Sequence, residues 1–258
     1  MITWITPENL DQILANLRSR SELGFDTEFD SVDLSWQSPV GVSRLDVASF
    51  AWVSGPVNAR GIPAVDSCVV SSEHLPLFRG ILEDENIVKY VHNQPVDAHT
   101  LWNMGIELRG AVNTLSWARW VWPHRVNVRP GSFDLDALCR WQFGEGKTED
   151  FGDIFVREED EAYEEIQEAS WCTECFDFGC RKRGTKKNPL AHLKVPKSRS
   201  VTKTKKVKRV IPLHEVRQGH PLFQRYLVYA AIDAELALKL AYRLDVEGSK
   251  EVEFPWPL

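Results

Sequence analysis

The sequence predicts an α/β domain built on a mixed sheet and interrupted by an inserted segment of different texture. Three observations lead there. Short β-type runs come first and then alternate with helical patterns. That regular order breaks off after Gly146, and it resumes in one long amphipathic stretch, "HPLFQRYLVYAAIDAELALKLAYRL". With 258 residues, 43% hydrophobic and 26% charged, the chain can bury a sizeable core as one large domain or one domain carrying an insertion.

In chain order, "TPENLDQILANLRSR" predicts a helix capped by Thr6, with Pro7 at its first position and Leu10, Ile13, Leu14 and Leu17 at helical spacing. "ELGFDTEF" is a short strand with acidic residues at its end. "RLDVASFAWVSG" and "GIPAVDSCVV" are two further strands, parted by the turn-forming "GPVNARG". A helix over "SEHLPLFRGILED", a strand over "NIVKYVHN" and a helix over "PVDAHTLWNMGI" follow. Then come an extended "GAVNTL", a helix "SWARWVWP", and a helix "SFDLDALCRWQFG" capped by Ser132.

Composition narrows the class. The net charge of −6 gives no global signature of nucleic-acid binding. No apolar run approaches the roughly 18 residues of a membrane helix, and "MITWITPENLDQ" lacks the pattern of a signal peptide. Five cysteines, three of them clustered, suit a reducing compartment better than a disulfide framework. The expectation is a soluble cytoplasmic protein with no membrane partner.

"LGFDTEFDSVDLSW" sets Asp26, Glu28, Asp30 and Asp33 within eight residues behind an apolar run. Asp26 and Glu28 are two apart, so an extended chain points both to one face. Fixed beside a buried strand, such a pair is costly unless positive charge lies between. Divalent cations with a taste for hard oxygen ligands, Mg²⁺ or Mn²⁺, are the natural partners. Asp97 opens the helix after "YVHNQ", where it could also simply complement the helix dipole. Tyr229 and Asp233, four apart, share a helix face that is otherwise apolar.

Taken together, "FDTEFDSVD", "YVHNQPVDAHTLWNMGIELRGAVNTLSWARWVWP", "FDLDALCRWQFG" and "YAAIDAELALKL" resemble the 3′–5′ exonucleases of the DEDD superfamily, most closely the proofreading exonuclease domain of family A DNA polymerases. The resemblance runs from about Ile2 to Gly144 and from about Gly219 to Leu244. It implies a ribonuclease-H-like fold and matches Asp26 and Glu28 to the first motif, Asp97 to the second and Asp233 to the third. Tyr229 marks the tyrosine-type branch. Val96 stands where the family often has an aromatic residue, Pro95 is unusual, and Asn113 replaces a common Asp. The resemblance further implies a two-metal hydrolysis. Asp26 would bridge both ions, Glu28 and Asp233 would complete one site, and Asp97 would hold the other. Tyr229 would orient the attacking water. Thr27, Asn93 and Trp36 are the candidate substrate contacts, although Asn93 could equally cap the following helix, and Trp36 is a candidate to stack on a terminal base.

The boundaries expected are a first core part at 1–146, an insertion at 147–214 and a final core part at 215–258. Eleven acidic residues crowd positions 145–168, and thirteen basic residues with no acid occupy 181–209. Cys172, Cys175 and Cys180, with His192 or His214, could hold one structural Zn²⁺, or the thiols could be free. The basic run could track a polyanion or fold back on the acidic stretch. Cys68 and Cys139 read as core residues. The leading function is a stand-alone or subunit exonuclease acting on DNA, most readily a single-stranded 3′ end. A ribonuclease-D-like RNA exonuclease and a non-catalytic nucleic-acid binder are the alternatives. A replication or repair protein is a candidate partner of the insertion.

Overall fold

The computed structural model describes residues 1–31, 43–127, 133–148, 154–172, 194–211 and 215–248. The chain divides into two compact units, Met1–Phe155 with Ile211–Leu258, and Val156–Val210.

In the first unit the strands are β1 (Ile2–Trp4), β2 (Glu22–Ser31), β3 (Ser43–Val57), β4 (Pro63–Ser71), β5 (Val88–Val91) and β6 (Ala111–Asn113). The helices are α1 (Leu10–Arg18), α2 (Arg79–Leu82), α3 (Pro95–Trp102), α4 (Thr114–Val121), α5 (Leu135–Phe143) and α6 (Phe223–Gly248). The six strands form one sheet in the order β1-β4-β3-β2-β5-β6. β2, β3 and β4 run antiparallel, while β1 on β4, β5 on β2 and β6 on β5 are parallel. This is the mixed sheet flanked by helices that the sequence predicts.

The alternation of β2 decides which residues meet which layer. Leu23 and Phe25 enter a core with Leu14 and Leu17 of α1, Phe50, Phe78, Ile81 and Leu101. The intervening Gly24 faces α6 so closely that a Cβ there would lie 2.0 Å from the Ala234 carbonyl oxygen. Asp26 and Glu28 therefore share the α6 side of the strand. Two polar clamps fix α6 further: Ser67 Oγ donates to Glu235 Oε1 at 2.6 Å, and Glu22 accepts from Tyr242 OH as well as from Tyr90 OH. A second apolar cluster joins α4 and α5 to α6 through Ala118, Trp122, Leu138, Cys139, Leu236 and Leu240. Cys68 and Cys139 are buried free thiols, as expected.

Several elements differ from expectation. β1 is too short to show a period. α1 opens at Leu10 after a turn at Thr6, with Asn9 Oδ1 accepting from the Thr6 amide at 2.9 Å. The helix expected over 72–84 is a 3₁₀ turn, Leu75–Phe78, followed by the single turn of α2. β2 runs on to Ser31, so the acidic pair lies within the strand rather than at its end. α5 starts after Asp134, whose side chain makes no capping bond, and ends on Gly144 with φ 80°, a left-handed position suited to glycine. Ser132 lies outside the described residues.

The second unit is a hairpin of β7 (Val156–Cys172) and β8 (Lys194–Val210), antiparallel along its whole length. The register sets acidic positions opposite basic ones, Asp160 against Lys206 and Glu161 against Lys205, with Lys205 Nζ 3.5 Å from Glu161 Oε2. Within the basic run, residues 194–210 thus pair with the acidic strand 156–172. Of the suggested zinc ligands, Cys172 ends β7, and Cys175, Cys180, His192 and His214 lie outside the described residues.

Candidate active site

β2 supplies Asp26 and Glu28, the first turn of α3 supplies Asp97, and one face of α6 supplies Tyr229 and Asp233. The four carboxylates share one electrostatic environment. Burial first, and then the negative charges of Asp97, Asp233 and Glu28, push Asp26 well above the usual carboxylate range. Glu28 is pushed up in the same way by burial, Asp233 and Asp97, and also by Asp46. Asp97 is 4% exposed. Its carboxyl is raised to about 7 by burial, against the pull of two hydrogen bonds from Thr27. Asp233 is raised by burial and held back by Lys147.

Thr27 donates its backbone amide and its hydroxyl to Asp97 Oδ1. Expected at the substrate, it is buried and bonds the Asp97 carboxylate. Asn93 adopts φ 64° at the turn between β5 and α3, and its carbonyl accepts from the Val96 amide at 3.1 Å. Trp36 and Asp33 lie outside the described residues. Asn113 caps α4 by accepting from the Leu115 and Ser116 amides, which gives the departure from the expected Asp a structural use.

Three residues escaped the sequence reading. Lys147 reaches Asp233 Oδ2 with Nζ at 2.5 Å and lies 5.8 Å from the centre of the Tyr229 ring. Asp46 stands on β3 where Glu28 pairs with Val47 and Phe29 with Leu45, so it is the extra residue of a bulge beside the acidic pair. It is 2% exposed and accepts from Arg217 Nη1 at 3.1 Å and Nη2 at 2.5 Å and from Tyr226 OH. His92 bridges Thr114 Oγ1 and the Phe133 carbonyl, both at 3.0 Å, and burial lowers its pKa to about 4, so the ring is neutral. An Asp inside the apolar "RLDVASF" was the available signal for Asp46.

Hard oxygen donors of this kind suit Mg²⁺. Asp233 Oδ1 is buried with no hydrogen-bond partner. As they stand, no three His, Cys, Asp or Glu side chains among the described residues are placed to hold a metal ion. Lys147 Nζ pairs with the other oxygen of Asp233.

Residues 1–167 match the model of the 3′–5′ exonuclease family, and the chain belongs to that family of hydrolytic exonucleases. Such exonuclease domains use divalent metals such as Mg²⁺. The matched span holds Asp26, Glu28 and Asp97, whereas Tyr229 and Asp233 lie beyond it. Among solved structures, the chain is similar to RNase D of Trypanosoma brucei, with a TM-score of 0.57 at 14% identity, over 98% of this chain and 66% of that one. It is also similar to Escherichia coli RNase D, described as an exoribonuclease involved in structured RNA processing, with a TM-score of 0.51 at 16% identity over 96% of this chain and 44% of that one. At these identities the likeness is one of fold. The chain spans less than half the length of the E. coli structure.

Proposed function

We propose that the protein is a metal-dependent 3′–5′ exonuclease that hydrolyses DNA phosphodiesters from a free 3′ end, with two Mg²⁺ or Mn²⁺ ions held by Asp26, Glu28, Asp97 and Asp233. The observation that carries this reading is the buried Asp233 Oδ1, which has no hydrogen-bond partner and belongs to a carboxylate whose charge, with that of Asp97, raises Asp26 and Glu28. Bound cations would offset charge on the phosphate oxygens and make the attacking water more acidic. Asp26, whose carboxyl responds to the charges of Asp97, Asp233 and Glu28, would be the ligand shared by the two ions. Glu28 and Asp233 would help to hold one ion. Asp97 serves the other, its Oδ1 already fixed by Thr27. The Tyr229 phenol orients the attacking water; with an ordinary pKa near 10, a phenol suits orientation better than proton abstraction. Likeness to two RNase D structures supports RNA as the alternative substrate.

The test is degradation of 5′-labelled single-stranded DNA, duplex DNA and RNA with Mg²⁺, Mn²⁺ or EDTA, using the wild type and Asp26→Ala. A ladder shortening from the 3′ end, metal-dependent and lost in the variant, is the expected result, and the preferred substrate chooses between DNA and RNA. Tight binding without a ladder under any metal would replace this reading with a nucleic-acid binder.

A further inference from the structure

Lys147 is delivered to the carboxylates by a strap, residues 144–147, that is fastened independently of its own side chain. Glu145 Oε2 pairs with Lys239 Nζ of α6 at 2.8 Å. The Lys147 amide donates to Asp136 Oδ1 at 2.6 Å, and Arg140 Nη2 donates to the Lys147 carbonyl at 2.6 Å. Arg140 Nε in turn donates to Asp136, at 2.9 and 2.8 Å to its two oxygens. Between these anchors Gly146 lies flat on α5, where a Cβ would fall 2.4 Å from Asp136 Oδ1 and 2.7 Å from Arg140 Cγ. The strap's course is thus set by backbone bonds and helix contacts, and it leaves the lysine side chain pointing at Asp233.

The ammonium is part of the cluster's charge balance. It bonds Asp233 Oδ2 and lowers the cost of charge on Asp26 and Glu28. A monovalent cation bonded to one oxygen of Asp233, beside an unpartnered second oxygen, stands where a divalent ion would be drawn.

We infer that Lys147 is a built-in counter-ion of the carboxylate cluster that a divalent cation must displace from Asp233, so that the strap at 144–147 sets the metal affinity of the site. The inference rests on the proposed metal-holding role of the four carboxylates. Lys147 holds the acids together before metal arrives, and it weakens metal binding because ammonium and metal compete for one ligand.

The test is Mn²⁺ binding to purified protein without nucleic acid, followed by the loss of the free-ion electron paramagnetic resonance signal. Wild type, Lys147→Met, Asp136→Ala and Asp26→Asn are compared, with thermal melts to establish folding. Lys147→Met should bind Mn²⁺ at least tenfold more tightly than wild type, and its metal-free form should melt lower. Asp136→Ala, which cuts the strap's anchor and leaves the charge, should tighten binding by a smaller factor and keeps the inference testable if Lys147→Met does not fold. Unchanged or weaker binding in both variants, with Asp26→Asn weakened, would overturn the Lys147 inference alone. No Mn²⁺ binding to any of the proteins would overturn the metal reading and this inference with it.

Discussion

Thr27 donates both its amide and its hydroxyl to a single oxygen of Asp97, at 2.9 and 2.8 Å, across the gap between β2 and α3. The same strand that carries Asp26 and Glu28 therefore also aims the carboxylate contributed by α3. Bonds to the charged form oppose the burial that pushes Asp97 up to about 7. Supporting contacts of this kind typically matter about 10–100-fold for metal affinity or activity. Thr27→Val keeps the shape and removes the hydroxyl. It should lower kcat about 10-fold or more and cost about 1 kcal/mol of stability, while Thr27→Ser retains most activity. Full activity in Thr27→Val would show that the amide alone positions Asp97.

Gly24 fixes the distance between Asp26 on β2 and Asp233 on α6. A methyl group there would lie 2.0 Å from the Ala234 carbonyl oxygen and 3.0 Å from Leu238 Cβ. Backbone cannot yield as a side-chain tip can, so α6 must shift. Gly24→Ala should cost about 1–3 kcal/mol, the usual range for overpacking or more. It should also weaken Mn²⁺ binding, because Asp233 moves with the helix. Urea denaturation and Mn²⁺ titration read the two effects separately; a stable variant with wild-type metal affinity would contradict the argument.

Asp46 is the deepest charge next to the site, and it survives there because Arg217 and Tyr226 OH both bond it. Arg217→Gln leaves a buried carboxylate with one neutral donor. Removing one partner of a fully buried pair costs about 3–5 kcal/mol. Arg217 is 39% exposed, so water offsets part of that and a loss of about 2–3 kcal/mol is expected. The double variant Arg217→Gln with Asp46→Asn should recover a large share in a double-mutant cycle. Strict additivity would mean that the pair contributes nothing.

Much of this was legible beforehand because the relevant patterns are local. Asp26 and Glu28 needed only a two-residue period, and Tyr229 and Asp233 only a helical turn. Asp97 needed the strand-to-helix change before Pro95. What was hidden depends on long-range contacts. Lys147 is one of two bases among the eleven acids of 145–168, and its placement follows from anchors on Asp136 and Arg140 that no periodicity reveals. Asp46 matters because a bulge sets it beside Glu28. β7 and β8 were masked by their charges, since dense Glu and Lys obscure any apolar alternation. Their opposite signs were the one cue to pairing, and the register honours it at Glu161 and Lys205.

His92 links β5 to α4 and to the Phe133 carbonyl, and it does so uncharged. Burial lowers its pKa from 6.5 to about 4. Between those values the unfolded chain binds a proton that the folded protein does not. The contribution of His92 is therefore present above pH 6.5 and is lost as the pH falls toward 4. Asp97, raised to about 7, acts in the opposite sense, because its folded form holds the extra proton. The two are separated by subtraction. Urea denaturation of EDTA-treated wild type and His92→Gln from pH 7 to 4.5 should show the wild type's advantage shrinking by about 1–2 kcal/mol, after allowance for partial exposure. Parallel curves across that range would mean that His92 titrates in the folded protein much as it does in the unfolded chain.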